Sequence, residues 1–116
     1  MLTENLFDLC LLEEMDDTEY TSDILGIFLK HTPADLMQLH TICIAEYFED
    51  AYNAAHKLKS SSGLIKAEAL NCILIRIEQT AKAKTKGLLA ELAEQANNEF
   101  RKLEFPLQQY LKSMET

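Results

Sequence analysis

Apolar residues recur at helical spacing through nearly all of the 116 residues, and the interruptions fall between such runs rather than inside them. A first run from about Thr3 to Glu14 carries Leu6, Phe7, Leu9, Cys10 and Leu12, which predicts a short helix too apolar to stand in solvent. Asp16 and Asp17 are cap candidates for a second helix that would bury Tyr20, Ile24, Ile27 and Phe28. His31-Thr32-Pro33-Ala34-Asp35 then reads as a fresh start, with Thr32 as N-cap, Pro33 at the first helical position and Asp35 in the first turn. The helix it opens presents Leu36, Leu39, Ile42 and Cys43.

Between Glu46 and Asp50 the direction changes with no glycine or proline to mark it. From about Phe48 to Leu64 a helix places Phe48, Ala51, Ala55, Leu58 and Ser62 on one face, with Ile65 following. Another from about Ala67 to Lys84 presents Leu70, Ile73, Leu74 and Ile77. After Gly87 a last helix begins near Leu88 and runs through Leu92, Phe100, Leu103 and Leu107 toward Leu111, with Pro106 expected to kink or restart it. Four substantial helices with short connections predict an all-α fold: an antiparallel four-helix bundle with one or two additional short N-terminal helices. At this length, residues 1–116 are expected to form a single domain.

Composition supports helices, since only three glycines and two prolines punctuate a chain that is 47% hydrophobic. The formal net charge of -8 argues against a nucleic-acid partner, which needs a basic footprint. The charge is uneven, however: seven of the eleven basic residues fall between His56 and Lys86 (Lys57, Lys59, Lys66, Arg76, Lys82, Lys84 and Lys86). The N-terminus has no basic region ahead of an apolar run, and no stretch approaches a membrane span, so a cytoplasmic monomer with no membrane partner is expected. Cys10, Cys43 and Cys72 are widely spaced among apolar neighbours and are expected to be reduced core residues. His31 and His40 share no metal-ligand spacing, so neither a metal nor a cofactor site is expected in the chain.

The chemistry concentrates in Ala54-Ala55-His56-Lys57-Leu58-Lys59-Ser60-Ser61-Ser62-Gly63. On a helix His56 is rotated about 100° from Ala55, off the inner stripe and toward solvent. Lys59 follows one turn on; Ser60 lies about 6 Å further along and Gly63 about 10.5 Å, both nearly in line with the imidazole. Tyr52 and Asn53, one turn before His56, border the same face. A solvated face ordinarily carries long charged side chains, and three serines before a glycine sacrifice helix propensity. Small residues there let a partner's backbone approach the ring, and the Lys59 ammonium is placed to neutralise a phosphoryl group. Imidazole is a competent nucleophile near neutral pH, and phosphoryl transfer demands in-line approach and charge stabilisation rather than elaborate covalent machinery.

These residues resemble the signature of histidine-phosphotransfer (HPt) domains: Ala-His-x-Leu-Lys-Gly, small residues, then a Gly-Ala pair before the next helix. Ala55, His56, Leu58 and Lys59 match directly, Ser61 and Ser62 match the small positions, and Ile65 and Ala67 match the apolar residue and the alanine of the pair. Phe28-Leu29 with Pro33 and Leu36, Glu49-Asp50-Ala51, Ile77-Glu78-Gln79-Thr80-Ala81 and the closing Leu107, Tyr110 and Leu111 are similar to flanking elements in the same order. Ser60 and Lys66 depart from the pattern, each standing where the family has glycine, so Gly63 is expected to terminate the active helix instead. The resemblance implies a shuttle in which His56 takes a phosphoryl group from an aspartyl phosphate of one receiver domain and passes it to an aspartate of another. Lys59 would stabilise the transferring group, with Ser60 and Gly63 forming the close-approach surface; Tyr52 and Asn53, from their position one turn before His56, are candidates to border it. The implied partners are receiver domains of response regulators and hybrid sensor kinases, which would bring the Mg2+. No glycine-rich phosphate loop or Walker lysine is present, so a phosphocarrier without autonomous ATP-dependent kinase activity is expected. The starting methionine and short polar tail favour a free-standing protein. The alternative is an HPt-like module that docks receivers without phosphotransfer.

Overall fold

A computed structural model describes residues 7–9, 14 and 16–114. Among these residues there are four helices: α1 (Thr18–Ile44), α2 (Phe48–Leu64), α3 (Glu68–Lys82) and α4 (Leu89–Met114). Short turns reverse the chain between them. α2 packs on α3 and α1 on α4, and the two pairs close into a bundle through α1–α2 and α3–α4 contacts. No described helix is long and apolar enough to cross a membrane.

The expected break at Thr32-Pro33 is absent, and α1 is one helix of 27 residues. Asp17 caps it, its Oδ1 accepting the Tyr20 N–H at 3.0 Å. The reason for continuity is the buried row Thr21, Leu25, Phe28, Thr32, Leu36, Leu39 and Cys43, whose spacing of three and four runs unbroken across the proline. A proline within a helix costs roughly 3 kcal/mol. Breaking the row would unseat several side chains worth about 1.5–3 kcal/mol each, so continuity wins. The same row corrects the expected inner face: Tyr20 and Ile27 are exposed, and Thr21 and Leu25 are buried in their place. Pro106 is likewise accommodated inside α4, between buried Leu103 and Leu107.

Most of the expected N-terminal helix lies outside the described residues, Cys10 among them. Within it, Phe7–Leu9 has no regular secondary structure. The Asp8 N–H donates to the Ile65 carbonyl at 2.7 Å, and Leu9 is buried, so this segment is tied to the α2–α3 turn. Cys43 is a buried thiol whose burial pushes its pKa up to about 11. Cys72 is exposed rather than in the core, because it lies two residues, about 200°, around α3 from buried Leu70.

The unmarked turns share one device. After α1, Tyr47 N–H bonds the Ile42 carbonyl and Glu46 N–H that of Cys43; after α2, Ala67 bonds Ser62 and Lys66 bonds Gly63 in the same way; after α3, Thr85 bonds Thr80 and Lys84 bonds Ala81. Each pair is a Schellman closure. The left-handed residues are Glu46 (φ 57), Lys66 (φ 51) and Lys84 (φ 55), not glycines. Gly63 is therefore not the terminator of α2; the helix continues through it, and Lys66 itself adopts the conformation a glycine would take.

Candidate functional site

α2 turns its Ala51, Ala55, Leu58 and Ser62 stripe into the core, which leaves His56 on the outer surface with its side chain 64% exposed. Opposite it, α3 buries Leu70, Leu74, Ile77, Ala81 and a carboxylate, Glu78. Glu78 sits four residues after Leu74 and three before Ala81, squarely on the inward stripe. Its Oε2 lies 2.8 Å from His56 Nδ1, and its Oε1 accepts from Lys59 Nζ at 2.8 Å. One buried carboxylate thus holds both of the residues singled out on α2.

Burial acts to raise the Glu78 pKa, but the hydrogen bonds and charge of Lys59 and His56 outweigh it and hold the carboxyl below its ordinary value. An ionised carboxylate only accepts hydrogen bonds, so the His56 ring must carry its proton on Nδ1. In the neutral ring the lone pair is then on Nε2. Lys59 does not extend freely beside the imidazole; its ammonium, with the side chain 29% exposed, is drawn back onto Glu78.

A second polar link lies further along the same seam, where buried Ser62 Oγ donates to Asn71 Oδ1 at 2.9 Å. On the other side of His56, the Tyr52 ring stacks nearly parallel to the imidazole, at 7° with centroids 6.0 Å apart. Asn53, Ser60 and Gly63 are exposed or at the exposed edge of the same face. A Cβ built on Gly63 would meet nothing within 4 Å, so packing inside the protein does not require glycine there. Ser60 and Ser61 also line a groove of about 470 Å³ between α1 and α2, floored by Ile24, Phe28 and Ile65 and edged by exposed Ile27. His31 is at the rim of this groove, and His40 lies in another, against α4.

The structure therefore places His56, Lys59 and Tyr52 in one cluster and lays Ser60 and Gly63 along the adjoining surface. Glu78 carries no assigned role in the sequence reading. Its signal was a charge at a position where the helical stripe demands an apolar residue.

The profile of the Hpt domain matches residues 23–114. A search of curated proteins finds no match. Among solved structures, the chain is similar to the crystal structure of histidine-containing phosphotransfer protein B from Pseudomonas aeruginosa. The TM-score is 0.86 over 96% of this chain and 98% of that one, at 19% sequence identity. At that identity the likeness speaks for the fold, and the family rests on the profile together with the residues around His56. The chain belongs to the Hpt domain family of histidine phosphotransfer modules.

Proposed function

We propose that this protein is a phosphorelay carrier: His56 accepts a phosphoryl group from the aspartyl phosphate of a receiver domain and passes it to an aspartate of another. The observation that carries this reading is the exposed imidazole held at Nδ1 by buried Glu78, beside a surface kept low by Ser60 and Gly63. The Nε2 lone pair attacks phosphorus, an N–P bond forms, and the P–O bond to the donor aspartate breaks with its electrons returning to the carboxylate. The ring then carries both the phosphoryl group and the Nδ1 proton, hence a positive charge, which the Glu78 carboxylate stabilises where it already sits. Transfer onward reverses these steps on a second receiver.

Lys59 has two uses for its ammonium, Glu78 and an incoming phosphoryl oxygen, and three N–H donors with which to serve both. Magnesium belongs to the receiver in this reading, and no step draws on ATP. The apolar groove with Ile27 at its edge supplies buried contact area for the partner, while Gly63 and Ser60 set how closely its backbone approaches.

The test is to mix the protein with a phosphorylated receiver domain and follow the label. Label on the wild-type chain should be acid-labile and alkali-stable, as a phosphoramidate is, and absent from His56→Gln. That variant should unfold at the wild-type temperature, because the side chain is mostly in solvent. Failure of every competent receiver to label His56 would leave a docking module only.

A further inference from the structure

The His56 face has a second flank. Between the start of α2 and the end of α3 lies a shallow groove of about 340 Å³, with Phe48, Tyr52 and Ala81 forming its apolar floor and Lys82 and Lys84 on its edge. Glu49 is the single carboxylate lining it. Among the described residues neither lysine makes an ion pair, and Lys86 follows two residues later. In a chain of net charge -8, this is an unpartnered cluster of cations over an apolar surface.

Two features tie the groove to the phosphoryl site. Tyr52 belongs to both, lining the groove and stacking on the His56 ring. Lys82 stands one turn beyond Glu78 on α3, about 6 Å along the helix axis. Lys84 holds the left-handed position of the α3 closure (φ 55), as Glu46 and Lys66 do in theirs.

We infer that this groove is a docking subsite for a receiver domain, taking a carboxylate of that partner between Lys82 and Lys84 and an adjacent aliphatic side chain on Phe48 and Tyr52. The inference rests on the carrier reading of His56 and adds a determinant that orients and steers the receiver. The partner must present an aspartyl phosphate, with the metal-binding acids that accompany it, and so arrives with an anionic rim. A cationic ledge beside the nucleophile accelerates and orients that encounter. Because the lysines touch neither reacting atoms nor Glu78, they act on association and not on the chemical step.

The experiment measures transfer from a phosphorylated receiver to His56 as a function of receiver concentration. The wild type is compared with a Lys82→Glu, Lys84→Glu double variant and, separately, with Lys84→Gly. In the double variant the half-saturating receiver concentration should rise about 10-fold or more and lose much of its salt dependence, while the maximal rate stays within about twofold. Lys84→Gly should weaken docking about threefold while unfolding at the same or a higher temperature, since it relieves the left-handed backbone. This separates docking from folding. Unchanged half-saturation in the double variant, with transfer intact, overturns the subsite and leaves the carrier reading standing; absence of transfer in the wild type overturns the carrier reading first. Binding of the wild type to vesicles containing anionic lipid, lost in the double variant while transfer is unaffected, would reassign the lysines to a membrane surface and overturn the receiver assignment.

Discussion

The two helix pairs of the bundle are built to different rules. α1 and α4 meet through leucines and a tilted pair of rings, Phe28 and Phe100 at 5.6 Å, and the seam absorbs a proline in each helix. α2 and α3 are shorter, and their seam is interrupted by polar links, Glu78 to His56 and Lys59 and Ser62 to Asn71. Buried polar links are worth little net stability, because desolvation offsets most of what the hydrogen bonds return. They do fix register, since a one-residue slip would strand every partner. The α2–α3 seam therefore adds the position of a nucleophile to its share of the common core, so stability and positioning are separable by mutation.

The largest expected effect is on the apolar pair. Phe100→Ala empties a buried ring position, 3% exposed, and should destabilise by about 3–5 kcal/mol. In a chain of this size that lowers the unfolding midpoint by about 12–20 °C, readable by calorimetry. Phosphotransfer measured well below the new midpoint should keep its wild-type maximal rate. A large loss of rate at that temperature would show that the two seams are coupled and the division is wrong.

Glu78→Ala should do the reverse. Removing the carboxylate also removes the penalty of burying it, and both of its donors reach water, so stability should change by about 1 kcal/mol or less. The imidazole loses the group that fixes its tautomer and steadies its positive charge. Maximal transfer should fall about 10- to 100-fold with the half-saturating receiver concentration nearly unchanged. A rise in half-saturation alone would assign Glu78 to docking rather than to positioning the ring.

The same carboxylate gives the α2–α3 seam an acid dependence. In the folded protein Glu78 binds its proton less readily than the ordinary carboxyl at 4.5. Below that value the unfolded chain takes up the proton first, so stability falls with pH. The contribution is fully present above pH 4.5 and is lost as pH drops through the lowered folded value. Urea titrations at successive pH values should show this limb in wild type and a shallower one in Glu78→Gln; identical slopes would mean that the bridge is not formed in solution.

The same contrast governs what the sequence reveals. Apolar periodicity alone locates α2 to its ends and turns His56 outward, because Ala51, Ala55, Leu58 and Ser62 repeat cleanly. The unbroken length of α1 is equally legible in its buried row, yet Thr32-Pro33 is so strong a local start signal that it masks the longer pattern. Glu78 is hidden for a different reason. Whether an inward carboxylate meets a histidine depends on the α2–α3 register, a tertiary quantity, and a charge is by default assigned to the solvent face. The turns are legible in position but not in their manner of closure, because their left-handed positions hold Glu46, Lys66 and Lys84 and the glycine that normally announces such a closure is missing.

That last point yields the smallest effect and the sharpest comparison. Lys66 closes α2 at the functional seam with φ 51, where a side chain carries a backbone penalty of roughly 1–2 kcal/mol and glycine avoids it at some cost in unfolded-state entropy. Comparing Lys66→Gly with Lys66→Ala cancels whatever contacts the lysine side chain makes and leaves the backbone term alone. The glycine variant should be more stable than the alanine variant by about 0.5–1 kcal/mol, a difference of roughly 2–4 °C in midpoint. Both should transfer phosphoryl groups at nearly the same maximal rate, because the turn lies more than two helical turns from His56 and the Glu78 bridge sets the ring. Equal stability would mean that the Schellman closure is not left-handed at Lys66 in solution. A faster glycine variant would mean that strain at the end of α2 reaches the nucleophile, and that the seam is less rigid than its two polar links make it.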